Sequence, residues 1–139
     1  MPGSAAMQTY ERRVDAALAR GDAAECLMAN QIVLEALGEV ELEKLDAGIE
    51  RRGLGFRRLR AIMLAQEQAH HATGEAALEA LIESELATRG ALRRRATGYL
   101  ELIDAMLVET APLFEYFNQD VAAHRRRFQE LLPAWIRAQ

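Results

Sequence analysis

Residues 54–89 read LGFRRLRAIMLAQEQAHHATGEAALEALIESELATR, bracketed by Gly53 and Gly90. The stretch predicts one long amphipathic helix. At about 100° per residue, Leu59, Ile62, Met63, Ala77, Ala80 and Leu81 share one side, while Gln68, Glu75, Glu79 and Glu83 share the other. His70 projects from the centre of the apolar side and Glu67 lies at its edge, whereas His71 turns towards the wet face. Thr73-Gly74 is the weak point. It reads as a tolerated glycine, a kink, or a break with Thr73 as N-cap.

The flanking sequence supplies further helices. Ser4 can cap a first helix running to Arg20, on which Met7, Tyr10, Val14 and Leu18 share a face, and Gly21 suits the position just past its end. Asp22 then caps a second helix, Ala23 to Arg52, with Leu27, Leu34, Leu37, Leu45 and Ile49 as its stripe. Asn30 and Glu41 fall on that stripe too. Gly53 and Gly55 permit a tight reversal into the long helix, which Gly90 ends. A fourth helix, Ala91 to Val108, aligns Leu92, Ala96, Tyr99, Ile103 and Met106.

Thr110 suits an N-cap and Pro112 an early helical position, so a fifth helix is expected from there to about Leu132. Leu113, Phe114, Phe117, Val121, Phe128 and Leu131 would face inward, as would His124, with Asp120 at the edge. One kinked helix from Ala91 to Leu132 is the alternative. Pro133 ends the run and leaves Trp135 and Ile136 as a packing tail. The expected fold is an all-α antiparallel bundle of four to five helices with long helical hairpins. It forms one domain over 1–139, with residues 1–6 flexible or left from cloning.

Composition agrees with a bundle. The chain has 139 residues, half of them apolar but only 6% aromatic, and three prolines. A formal net charge of −4 argues against a general nucleic-acid binder. No long apolar run or signal peptide is present, so no membrane is expected. Cys26 is the single cysteine, which excludes an intrachain disulfide and a cysteine-cluster metal site and fits a cytoplasmic setting.

One short pattern carries chemistry. Glu67-Gln68-Ala69-His70 is a Glu-x-x-His motif, which sets a carboxylate and an imidazole on one helical face. A hairpin reversing near Leu54 would bring Glu41 level with Glu67. His124 would add a second inward imidazole and Glu109 another carboxylate. The set Glu41, Glu67, His70, Glu109 and His124 resembles half of a ferritin-like site, which implies iron or manganese as cofactor. No second Glu-x-x-His exists, and Asp120-x-x-x-His124 has a different spacing, so a homodimer would have to complete the site. The competing expectation is no cofactor, with both histidines packed in the core. The arginine runs, 93–95 and 125–127 among them, read as a solvated face, with an acidic partner as the alternative. Arg51, Arg52 and Arg89 would lie near helix C-termini.

The segment Ala17-Leu18-Ala19-Arg20-Gly21-Asp22 before an alanine- and leucine-rich helix resembles FlgN-type flagellar (type III) export chaperones, as does Leu86 to Leu107. The resemblance spans Tyr10 to Leu107 and implies a small acidic cytosolic protein that holds an export substrate on a helical surface. The resulting expectation is a non-enzymatic helical binding protein, a chaperone or adaptor for a protein partner that docks as a helix. Its alternative is the ferritin-like metal-binding bundle, with storage or oxidoreductase chemistry.

Overall fold

The computed structural model describes residues 4–51, 57–84, 87–116 and 118–137. Among these, five helices form and no strand does. Helix α1 is Ala5–Ala19. Helix α2 covers 23–51; it opens as Ala23–Leu27, passes through a π-helical stretch at Met28–Leu34 and continues as Glu35–Arg51. Then come α3 (Arg57–Glu83), α4 (Arg89–Tyr116) and α5 (Val121–Leu131). No helix among the described residues is long and apolar enough to cross a membrane.

The early caps form as expected. The Ser4 side chain accepts from the Met7 N–H at 3.0 Å, and Asp22 accepts from the Glu25 N–H at 3.0 Å. Gly21 has a φ of 70°, the left-handed turn that separates α1 from α2. Ser4 to Ala6 are therefore built into the fold, and Ala6 is buried.

One core cluster runs from Ala6 to Ile136. The rings of Tyr10 and Tyr99 meet edge to face at 4.8 Å, and the Tyr10 hydroxyl donates to the Ala29 carbonyl at 2.6 Å. Burial raises the pKa of both phenols, so both remain neutral donors. Beside them Glu25, itself buried, accepts from the Tyr99 hydroxyl (2.8 Å), from Arg20 (2.8 Å) and from Arg95. Arg95 also binds the Asp22 cap. This network joins α1, α2 and α4.

The π-helical stretch alters the predicted stripe of α2. Its i→i+5 turns are wider than α-helical ones and bring adjacent residues inward in pairs. Met28 with Ala29 and Ile32 with Val33 are fully buried, followed by Ala36 and Val40, while Leu27, Leu34 and Leu37 pack at the margin. Leu45 and Ile49 have side chains outside the described ones, and Gly53, Gly55 and Phe117 lie outside altogether.

The largest departure is in α3. Its buried residues are His71, Gly74 and Leu78. That face is rotated from the predicted stripe by about one residue step, roughly 100°. Leu59, Ile62 and Met63 are consequently exposed (54%, 48% and 43%), His70 faces solvent, and His71 points inward. The cause is Gly74, whose bare backbone lies against Gln31 of α2. A helix packs closest where its partner has no side chain, so the glycine, not the bulky residues, selects the contact face. Thr73-Gly74 is neither a break nor a cap.

Other expectations shift as well. Helix α3 ends at Glu83, and Gly90 sits inside the first turn of α4, where Thr88 accepts from the Ala91 N–H at 3.3 Å. Arg89 thus lies at a helix N-terminus and pairs with Glu79 at 2.6 Å. Thr110 is not a cap. Its hydroxyl donates to the Met106 carbonyl, and α4 continues through Pro112 to Tyr116. The residue whose carbonyl Pro112 leaves without a helical donor, Val108, is exposed to water. The break comes later, at Asn118 with a φ of 53°, so α4 and α5 divide at neither predicted point. Leu18 and Leu113 are exposed, whereas Phe128 and Ile136 are core residues as expected.

Two glycines make a contrast that can be tested. A Cβ at Gly74 would overlap the Gln31 Cβ and lie 3.3 Å from its Cα. A Cβ at Gly98 would meet only the far end of the exposed Arg13 side chain, which can move aside. In urea denaturation, Gly74→Ala is expected to lose about 1–3 kcal/mol through overpacking. Gly98→Ala is expected to be neutral, or to gain up to about 1 kcal/mol from helix propensity.

Candidate metal centre

The close approach at Gly74 sets the register along the α2–α3 pair. Gln31 lies opposite Gly74, Glu35 opposite His70, and Gly38 opposite Glu67. Successive partners run in opposite directions, so the pair is antiparallel. It brings together one carboxylate from α2 and the Glu-x-x-His pair of α3. The ligand atoms of Glu35, Glu67 and His70 all lie within 4.8 Å of one another, and His70 Nδ1 is 3.8 Å from Glu35 Oε1.

Gly38 makes room for this cluster. A Cβ at that position would sit 3.3 Å from Glu67 Oε2. The two carboxyl groups bond to each other, and burial together with that bond lifts the Glu35 pKa from the ordinary 4.5 to about 7. The Glu35 side chain is 21% exposed and that of His70 is 60% exposed, so the cluster opens to solvent on the histidine side.

The five residues predicted as ligands divide among three places. Glu67 and His70 come together, with Glu35 as the carboxylate facing them. Glu41 is not inward: its side chain is 55% exposed, and it faces His124 Nε2 at 3.3 Å. His124 is buried, as expected, with Phe114 edge-on to its ring at 5.0 Å. Glu109 serves α1, accepting from the Ala6 N–H at 3.2 Å. The expected pairing of Glu41 with Glu67 is out of register by three residues, about 4.5 Å along a helix, since Gly38 holds that place; Glu35, one turn further on, faces His70 instead.

A second Glu–His pair lies one step around the same interface. His71 and Glu39 are both buried, with His71 Nδ1 3.8 Å from Glu39 Oε2 and its Nε2 without a hydrogen-bond partner among the described residues. Sequence reasoning missed Glu35, Gly38, Glu39 and the burial of His71. The signal that would have found them is the small–small register of Gly38 and Gly74 against their opposing residues.

The donor set fits a divalent ion of intermediate hardness. Two carboxylates and one imidazole suit manganese, iron or zinc, and no thiolate is at hand to favour a softer ion. Metal–ligand bonds of about 2.0–2.2 Å would need the three donors to draw closer together than they stand, and the exposed His70 side chain has room to move.

The raised Glu35 pKa has a signed consequence. Between pH 4.5 and 7 the folded chain holds a proton that the unfolded chain has released, so stability falls as pH climbs through this window. In chelator-treated buffer, Glu35→Gln is expected to flatten that slope and to melt above the parent at pH 8, as read by differential scanning calorimetry.

No protein-family model, no curated protein and no solved structure matches the chain, so the chemistry of this site is read from its own residues.

Proposed function

We propose that the protein is a metal-binding helical bundle in which Glu35, Glu67 and His70 hold iron or manganese. The convergence of these three side chains across the α2–α3 interface is the observation that carries the reading. A shared proton between two carboxyls is what such a site holds when no cation is there to neutralise it. A divalent ion supplies that neutralisation and displaces the proton. The open histidine side gives the ion a route from solvent and leaves coordination positions for water or a small ligand.

A helical binding protein, chaperone or adaptor, is supported by a different observation, the exposed Leu59, Ile62 and Met63 on α3. Large apolar side chains at helical spacing on an uncovered face are the means by which such proteins hold a partner helix. The two readings part at the cluster, because an adaptor has no use for Glu67 or His70 as donors.

Titration calorimetry with Mn²⁺ on the chelator-stripped full chain separates them. The expected result is one ion per chain. Glu67→Ala and His70→Ala should each weaken binding by at least about 100-fold, the upper scale on which even outer-shell partners act. Affinity should also fall as pH drops below 7, because the proton on Glu35 then competes with the metal. No uptake of Mn²⁺, Fe²⁺ or Zn²⁺ at pH 8 would remove the metal reading and leave the adaptor.

A further inference from the structure

We propose that two copies of this chain pack α3 against α3, antiparallel, and so join their Glu35–Glu67–His70 clusters into one two-metal centre. The centre rests on the metal reading above. The interface rests on a separate observation, the asymmetry of the exposed stripe of α3.

That stripe has two unlike ends. Leu59, Ile62 and Met63 stand at the N-terminal end, His70 lies midway, and the small Ala77 and Ala80 follow towards the C-terminal end. All but the half-buried Ala77 are exposed. The charges are divided in the same sense. The exposed Arg58 flanks the stripe at the start of the helix, and the exposed Glu83 flanks it on the same side towards the end.

A parallel pairing would set leucine on leucine and arginine on arginine. A two-fold axis crossing the helix beside Ala69 and His70 resolves both conflicts. It lays Leu59 over Ala80 of the second copy and Ile62 over its Ala77, large on small. It also brings Arg58 of each helix near Glu83 of the other. Such a face is complementary to itself under a two-fold axis, the condition for a closed, isologous dimer. A helix from an unrelated protein would match it only by reproducing the same gradient of size and charge.

The axis that satisfies the stripe passes beside the metal cluster. One copy offers three donor atoms within 4.8 Å of one another, fewer than the four to six that a divalent ion of this class takes. Two copies offer a carboxylate from each α2 and a Glu-x-x-His pair from each α3. That is the donor set from which two-metal sites in helical bundles are built. The exposed His70 lies on the side where the second copy docks.

Sedimentation equilibrium on the full chain, with and without Mn²⁺, tests the proposal together with three variants. A dimer binding two ions is expected. Ile62→Arg should give a monomer whose Mn²⁺ affinity drops by about tenfold or more, the equivalent of about 1.4 kcal/mol. In a Cys26→Ser background, which removes the single native cysteine, Ala69→Cys chains should cross-link to one another on oxidation. Ala80→Cys chains should not, because the antiparallel register holds those positions about 30 Å apart. A monomer that binds one ion per chain leaves the metal reading standing and overturns the dimer. A dimer that takes up no metal overturns both the shared centre and the metal reading. Cross-linking at position 80 but not at position 69 overturns the register.

Discussion

The contact between Gln31 and the bare backbone at Gly74 sets how α2 lies on α3. Two helices can slide along each other at little cost until a side chain must enter a space that only one position offers. Gly74 is such a position, and Gly38 is a second on the facing helix, beside the Glu67 carboxylate. With both filled, the register is fixed and Glu35 arrives opposite His70. The cluster is therefore a consequence of packing. A one-residue slip would turn Glu35 by about 100° and separate the donors.

The ends of the molecule differ in how completely their charges are used. Near the α1–α2 turn, Glu25 is buried and fully engaged by Tyr99, Arg20 and Arg95, and its bond to Arg95, with Asp22 nearby, raises the pKa of that guanidinium further. On α5, Arg127 forks onto Glu43 with bonds of 2.9 and 2.8 Å and holds that carboxyl below its ordinary pKa, while Arg125 reaches Asp104. These arginines tie helices together, and the residues they hold are committed. Glu35 and Glu67 have no guanidinium among their described partners. They are left to bond each other, with the exposed His70 imidazole 3.8 Å from Glu35, the condition in which a carboxylate pair is available to a cation.

Most of the fold was legible in the sequence, for physical reasons. Ser4, Asp22 and Gly21 act through their own local backbone, so the first turn could be read without knowing the rest. The stripe of α4 was also legible: Leu92, Ala96, Tyr99, Ile103 and Met106 are all buried, because a helix clasped on several sides buries whatever is apolar. The face of α3 was not legible. A wheel reports where apolar residues lie, and the helix packs where a neighbour fits. On α3 these are different faces, since Gly74, with no hydrophobicity to register, carries the close contact. The same rotation exchanged the roles of His70 and His71. The end of α4 was misread for a related reason: Thr110-Ala111-Pro112 has the chemistry of a helix start, yet a proline costs little mid-helix where the orphaned carbonyl meets water. Glu35 was missed because a register error of about three residues is invisible to a symmetric hairpin argument.

The three histidines show why the exposed one is the better candidate for chemistry. His124 lies in the core, edge-on to Phe114 and near Glu41, with neither ring nitrogen in a hydrogen bond among the described residues. His71 is buried beside Glu39 with one nitrogen unpartnered. Both rings are held by the packing around them, His124 at the wall of a cavity lined also by Lys44, Asn118 and Asp120, and neither can swing to close on an ion without disturbing contacts that hold the helices together. His70 has the opposite character. It gives up little burial, it can turn without disturbing α2, and two carboxylates stand within reach. A metal ligand must be held well enough to be found and loosely enough to close on its ion. Of the three, only His70 meets both conditions.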